Sequence, residues 1–230
     1  MHKQKRVAIF DIDGTIFRSS LLVELVDAFV QEGVFKPDVA KAYDKAHKQW
    51  LDRKGDYQAY LFGVINAYEK NLKGVAYKDF ERVAHKVAAF QKNRVYRFTS
   101  DLVKELKKKD YYVLAISNSP LGIVSEFCKN WGFDKVYGRV YEINERRKFT
   151  GKTLFLELIK DKAKVLERAV AIEGLTLKGS VGVGDTESDI PLLKVVDRPI
   201  CFNPNEKLYR YATRAGWEIV VERKDVIYKL

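Results

Sequence analysis

The sequence predicts an α/β fold, a Rossmann-like parallel sheet sandwiched by helices, with an inserted α-helical cap domain. Three observations lead there. Four apolar residues, Val7, Ala8, Ile9 and Phe10, drive straight into Asp11, Ile12, Asp13, Gly14 and Thr15, the pattern of a buried parallel strand ending in polar chemistry. Beyond residue 96, apolar strand runs alternate with helical stretches. Between these two regions lie four successive helical patterns with no strand among them, which interrupts the alternation and marks an insert. The core is therefore expected in residues 1–17 and 96–230, and the cap in residues 18–95.

After the opening strand, Ser19 and Ser20 offer a helix N-cap, and Leu21, Leu22, Leu25, Val26 and Phe29 recur at helical spacing until Gly33. Pro37 and Asp38 open a second helix that runs through Tyr43 to Trp50; a third covers 57–68 and a fourth 79–90. The aromatics Tyr43, Trp50, Tyr57, Tyr60, Phe62 and Tyr68 read as the small core of the cap, with room for one or two to face a substrate. Thr99 or Ser100 then caps a helix through Leu106. The run from Tyr111 to Ile116 is a buried strand ending in Ser117, Asn118, Ser119 and Pro120. A helix over 121–131, short strands at 136–143 and 148–150, and a helix over 161–171 stopped by Gly174 follow. A strand at 180–184 ends at Asp185, Thr186, Glu187, Ser188 and Asp189; strands at 199–202 and 217–221, with a helix at 208–215 between them, complete the pattern.

Composition narrows the class. A chain of 230 residues that is 47% hydrophobic can build one large domain, or a core with an insert. No apolar stretch nears the roughly 20 residues of a membrane helix. The basic start up to Arg6 precedes too few apolar residues for a signal peptide, so a cytoplasmic protein with no membrane partner is expected. Cys128 and Cys201 lack metal-ligand spacing and suggest neither a disulfide framework nor a zinc site. The net charge of +11 favours anionic partners, yet no nucleic-acid motif accompanies the lysines. A phosphate-binding loop at Gly151, Lys152 and Thr153 fails because Arg146 stands where its first glycine belongs. A dinucleotide fingerprint at Gly182 and Gly184 fails at Glu187.

The chemistry gathers at strand ends. In a parallel sheet the carboxyl ends of three strands share one edge, which brings Asp11 and Asp13, Ser117, and Asp185 with Asp189 into one site. Side chains alternate along a strand, so Asp11 and Asp13 point the same way. Clustered carboxylates repel, and an oxygen-rich edge of this kind suits magnesium.

These residues resemble the haloacid dehalogenase-like hydrolase superfamily, whose four motifs occur here in order. Residues 11–15 match the first motif, Ser117 the second, Lys162 the third (with Lys164 as its competitor), and residues 184–189 the fourth. The stretch from Lys162 through Gly174 to Asp189 is similar to the phosphoserine phosphatase-like branch, and the insert looks like a type 1 cap. The resemblance implies hydrolysis of a small phosphorylated metabolite. Asp11 would be the nucleophile, giving a covalent aspartyl-phosphate, and Asp13 the acid and base. Magnesium would be held by Asp11, the carbonyl of Asp13 and Asp185, with Asp189 completing the site directly, through water or by orienting its neighbours. The phosphoryl oxygens would be bound by Ser117, Asn118, Lys162 and amides of the loop at Gly14. Asp13 favours a phosphatase or a phosphomutase within the superfamily; a non-catalytic nucleic-acid-binding protein is the alternative from another class. The chain departs from phosphoserine phosphatases where they carry a cap-proximal glutamate that grips the substrate amine: Ser20 stands there, with Glu24 one turn on. Arg18, just past the first motif, reads as a surface arginine, with an anionic substrate group as its alternative partner.

Overall fold

In the computed structural model, which describes residues 4–230, the expected parallel sheet is present. Six strands run parallel: β1 (Arg6–Phe10), β2 (Tyr112–Pro120), β3 (Lys135–Ile143), β5 (Thr176–Gly184), β6 (Arg198–Phe202) and β7 (Glu218–Arg223). Two antiparallel strands, β4 (Phe149–Leu154) and β8 (Val226–Lys229), close the edges, giving the order β4-β3-β2-β1-β5-β6-β7-β8. The chain winds outward from β1 to β3 and then returns to β5 on the other side of β1. The topological switch therefore lies between β1 and β5, where an open α/β sheet forms its ligand crevice.

Alternation along the strands divides the core cleanly. Val7 and Ile9 pack with Leu114 and Ile116 against Val165, Leu166 and Ala169 of α8 (Lys162–Glu173). Ala8 and Phe10 face the other way, with Val113 and Ala115. That second cluster continues without a break into the inserted helices α1 (Leu21–Gln31), α3 (Tyr57–Leu72) and α4 (Tyr77–Gln91). The cap aromatics therefore do not form a core of their own. Tyr68 packs edge-on against Tyr141 of β3 (5.4 Å between centroids), and Phe62 is 60% exposed, outside any core. The entry and exit of the insert lie side by side: Phe17 pairs with Val95, and the Arg18 amide donates to the Arg94 carbonyl (3.0 Å). An insertion whose ends meet in this way leaves the parent sheet undisturbed.

The expected caps need correction. Ser20 occupies the N-cap position of α1, but its side chain accepts no capping bond; the Leu21 amide instead donates to Asp13 Oδ1 (2.5 Å). Neither Thr99 nor Ser100 caps α5 (Arg97–Lys108), because both lie inside it. The Arg97 and Phe98 amides donate to the Glu222 carboxylate on β7 (3.2 and 2.8 Å), a partner far away in sequence. The second predicted helix is two elements, a 3₁₀ turn (Pro37–Ala42) and α2 (Asp44–Leu51), broken at Tyr43, whose hydroxyl donates to Asp27 (3.3 Å). The edge strand β8 follows a turn with Lys224 in the left-handed region (φ 56°), a conformation no glycine signals there. Residues 1–3 of the expected core segment lie outside the described residues. No helix among the described residues is long and apolar enough to cross a membrane.

Two outcomes test this packing. Glu222→Ala uncaps α5 and leaves two amides without acceptors, and should lower unfolding stability by about 1–2 kcal/mol in a denaturant titration. Cys128 and Cys201 are both buried free thiols, and burial pushes Cys201 up to about 12. In the folded protein neither should react with iodoacetamide at neutral pH, while both should react in guanidinium, as read by mass spectrometry.

Candidate active site

The site is built at the carboxyl tips of β1, β2 and β5. The Asp11 amide donates to the Val183 carbonyl (2.9 Å), which fixes the tip of β1 beside that of β5. The chain then coils tightly: the amides of Ile16 and Phe17 donate to the Ile12 carbonyl, and the Gly14 amide donates to the carbonyls of Phe17 and Ser19. Gly14 has φ 83°, and a Cβ there would lie 2.1 Å from Asp185 Oδ2. Glycine is thus required for close approach of Asp185. Its own amide is engaged within the loop.

Lys162 organises the carboxylates. Asp161 caps α8 through the Ala163 and Lys164 amides, which places Lys162 at the first helical position, pointing into the sheet edge. Its buried ammonium donates to Asp11 Oδ1 and Asp189 Oδ1, both at 2.5 Å. Burial alone would lower the Lys162 pKa; the two carboxylates outweigh it, and the net shift is upward, so the ammonium stays charged. Lys164, the competing position, is exposed.

Asp189, fully buried, uses its other oxygen to accept from the Asp185 and Thr186 amides (3.0 and 3.1 Å) in a capping box with Thr186. It positions both Lys162 and the Asp185 loop. Asp11, Asp185 and Asp189 each offer an oxygen within 4.8 Å of the others, a donor set that fits a hard divalent cation. The Asp13 carboxylate stands apart from this trio. It accepts from the Leu21 amide and, at Oδ2, from the Ser117 hydroxyl (2.6 Å), leaving only its carbonyl for a metal. Ser117 in turn accepts from the Ser119 amide (2.9 Å). Asn118 is half-buried beside it and, among the described residues, its amide makes no hydrogen bond.

Burial raises the pKa of all three frontline acids. For Asp11 the neighbouring Asp189 and Asp13 add to it while Lys162 opposes. For Asp13 the Ser117 and Leu21 hydrogen bonds oppose, and for Asp185 the Asp11 and Asp189 charges add. Four carboxylates face one lysine, an excess of negative charge that a dication relieves.

One contributor, Asn205, escaped the sequence reading. The Asn205 amide donates to the Asp185 carbonyl (2.8 Å) while its side chain caps α10 (Glu206–Ala215); an asparagine before a helical pattern was the available signal. Tyr57, at the start of α3, is the cap aromatic whose phenol feels the Asp13 and Asp185 charges, and burial with those charges raises its pKa. Arg18 is exposed and stacks over Tyr96 (5.1 Å).

The profile of the haloacid dehalogenase-like hydrolases matches residues 8–194. Among similar proteins, a phosphoserine phosphatase from Methanocaldococcus jannaschii is 24% identical over 98% of this chain and 96% of its own length. A histidinol-phosphatase from Neisseria meningitidis serogroup C is 22% identical over 94% of this chain and 98% of its own. Among solved structures, a protein of unknown function from Bordetella pertussis Tohama I superposes with a TM-score of 0.76 at 18% identity, covering 94% of this chain and 98% of that one. A phosphoserine phosphatase captured as a phospho-aspartyl intermediate analogue gives 0.62 at 23% identity, covering 97% and 96%. These structures share the fold. With its profile match and its four motifs in order at one sheet edge, the chain belongs to the haloacid dehalogenase-like hydrolase family.

Proposed function

We propose that the protein is a magnesium-dependent phosphatase of small organic phosphomonoesters that works through an aspartyl-phosphate on Asp11, beneath a cap formed by residues 18–95. The observation that carries this reading is the buried bridge from Asp11 through Lys162 to Asp189, set beside Asp185 at the topological switch. The relatives named phosphoserine phosphatase and histidinol-phosphatase support it.

An Asp11 oxygen attacks phosphorus, and the ester P–O bond breaks as Asp13 gives its proton to the departing alkoxide. Burial, which raises the Asp13 pKa, favours its carrying that proton. Asp13 then takes a proton from water, the water oxygen bonds to phosphorus, and the Asp11 carboxylate leaves, releasing inorganic phosphate. Asp11, Asp185 and the Asp13 carbonyl would hold the divalent cation, which when bound would supply the charge neutralisation that lets an anionic nucleophile meet an anionic phosphate. Lys162 and Ser117 donate to the phosphoryl oxygens as charge builds. For Ser117 this means turning its proton away from Asp13 Oδ2, a bond that weakens once Asp13 is protonated.

Purified protein with magnesium should release phosphate from p-nitrophenyl phosphate. Asp11→Asn should release none above the blank, and turnover there would refute the covalent route. Asp13→Asn should cut kcat by about 10²–10⁴ while the protein still unfolds at the wild-type temperature. Chelation should abolish activity, and added magnesium should restore it. Magnesium should also raise Tm in the wild type by mass action and leave Tm of Asp185→Asn unchanged.

A further inference from the structure

A cavity of about 400 Å³ lies away from the carboxylates, bounded by α4 on one side and by α6 (Leu121–Cys128), β3 and β4 on the other. None of the residues assigned to the reaction lines it. Its size is that of a small-molecule pocket. Its walls are apolar and aromatic: Phe80, Tyr141 and Phe149 are buried, and Phe80 and Phe149 meet edge to face at 5.4 Å. Such walls leave ring faces and edges for one more aromatic group.

Four charged residues line the same cavity, and their pairing divides them. Glu126 is satisfied, with Lys129 at 2.5 Å and His85 at 3.9 Å. Arg139 gives one nitrogen to Glu69 (3.0 Å), and its Nε–H is buried without any acceptor. A buried guanidinium N–H with no partner is uncommon and calls for an acceptor. Across the cavity, Glu81 makes no ion pair among the described residues and meets only the Tyr77 phenol. The cavity thus offers one guanidinium N–H without an acceptor on β3, one carboxylate without an ion pair on α4, and an aromatic surface between them. A ligand bearing only a carboxylate would leave Glu81 uncompensated beside it. One bearing only an amine would bring a second cation to Arg139. A zwitterion meets both.

We propose that this cavity is a binding site for a free aromatic α-amino acid, its ring against Phe80, Tyr141 and Phe149, its carboxylate toward Arg139 and its ammonium toward Glu81. The occupant bridges α4 of the inserted helices and β3 of the sheet. The site is independent of the phosphatase reaction, and its test needs no turnover.

The probe is L-phenylalanine, titrated into the full-length protein by calorimetry and followed by thermal shift. Saturable binding with Kd at or below about 1 mM and a rise in Tm are expected. Ser125→Trp, which projects an indole into the cavity, should weaken binding at least tenfold, and the exposed-site variant Glu81→Gln should weaken it about tenfold. 3-Phenylpropanoate and phenethylamine, each lacking one charge, should each bind at least tenfold more weakly than L-phenylalanine. Asp11→Asn should bind as the wild type does. Absence of saturation by about 10 mM, binding of either singly charged analogue as tight as that of L-phenylalanine, or wild-type affinity in a folded Ser125→Trp protein would each overturn the proposal.

Discussion

The constraint on which the rest of the structure depends is the concentration of four carboxylates on one sheet edge with a single buried lysine among them. Burying Lys162 costs solvation, and two contacts at 2.5 Å to Asp11 and Asp189 return it as a fixed cation. The surrounding chain is shaped by the same repulsion. Asp189 turns its second oxygen to backbone amides, Asp13 is drawn aside to Leu21 and Ser117, and Gly14 is denied a side chain so that Asp185 can close in. Removing the lysine would leave buried like charges facing one another, so the site and its folding are one problem.

That arrangement also ties the reaction to the insert. The Asp13 oxygen that accepts from Leu21 serves as the cap of α1, so the residue proposed as acid and base is also the anchor of the first inserted helix. The two strands of chain that enter and leave the insert pair at Phe17 and Val95, only a few residues from Gly14. Displacement of α1 therefore alters the hydrogen bonding of Asp13 directly.

The sheet and most of the site were legible because the relevant information is local. Val7 to Phe10 announce a strand by composition, and Asp11, Ser117 and Asp185 announce its chemistry by following such runs. Once strand order is known to be parallel, their convergence follows from topology. What escaped was non-local. Glu222 caps α5 from β7, so no reading of residues 96–100 reveals it, and Thr99, which resembles a cap, instead donates to the Thr15 carbonyl (2.8 Å). Ser20 lost its role to Asp13 because a carboxylate within reach is the stronger acceptor for a helix amide. The aromatic residues of the insert could be read as apolar but not assigned a partner. Tyr68 finds Tyr141, and Phe80 finds Phe149, across the boundary with β3 and β4.

The same non-local logic bears on what the cap recognises. Glu24, one turn beyond Ser20, accepts from Gln91 (2.7 Å) and pairs with Arg94 (2.9 Å). Its charge is spent within the fold, and no free carboxylate remains on that turn to hold a substrate ammonium. The cap instead presents rings: His47 stacks on Tyr60 at 4.4 Å, Trp50 lies over Tyr60 at 5.9 Å, and Trp50 meets Tyr57 at 5.2 Å. Tyr57 closes that series, and the Asp13 and Asp185 charges contribute to the upward shift of its phenol pKa after burial. Under the proposed reaction the leaving alcohol departs toward Asp13, beneath the helices that carry these rings. On that proposal, discrimination there would rest on the shape and stacking of the alcohol's body, where an ammonium–carboxylate clamp would rest on its charge.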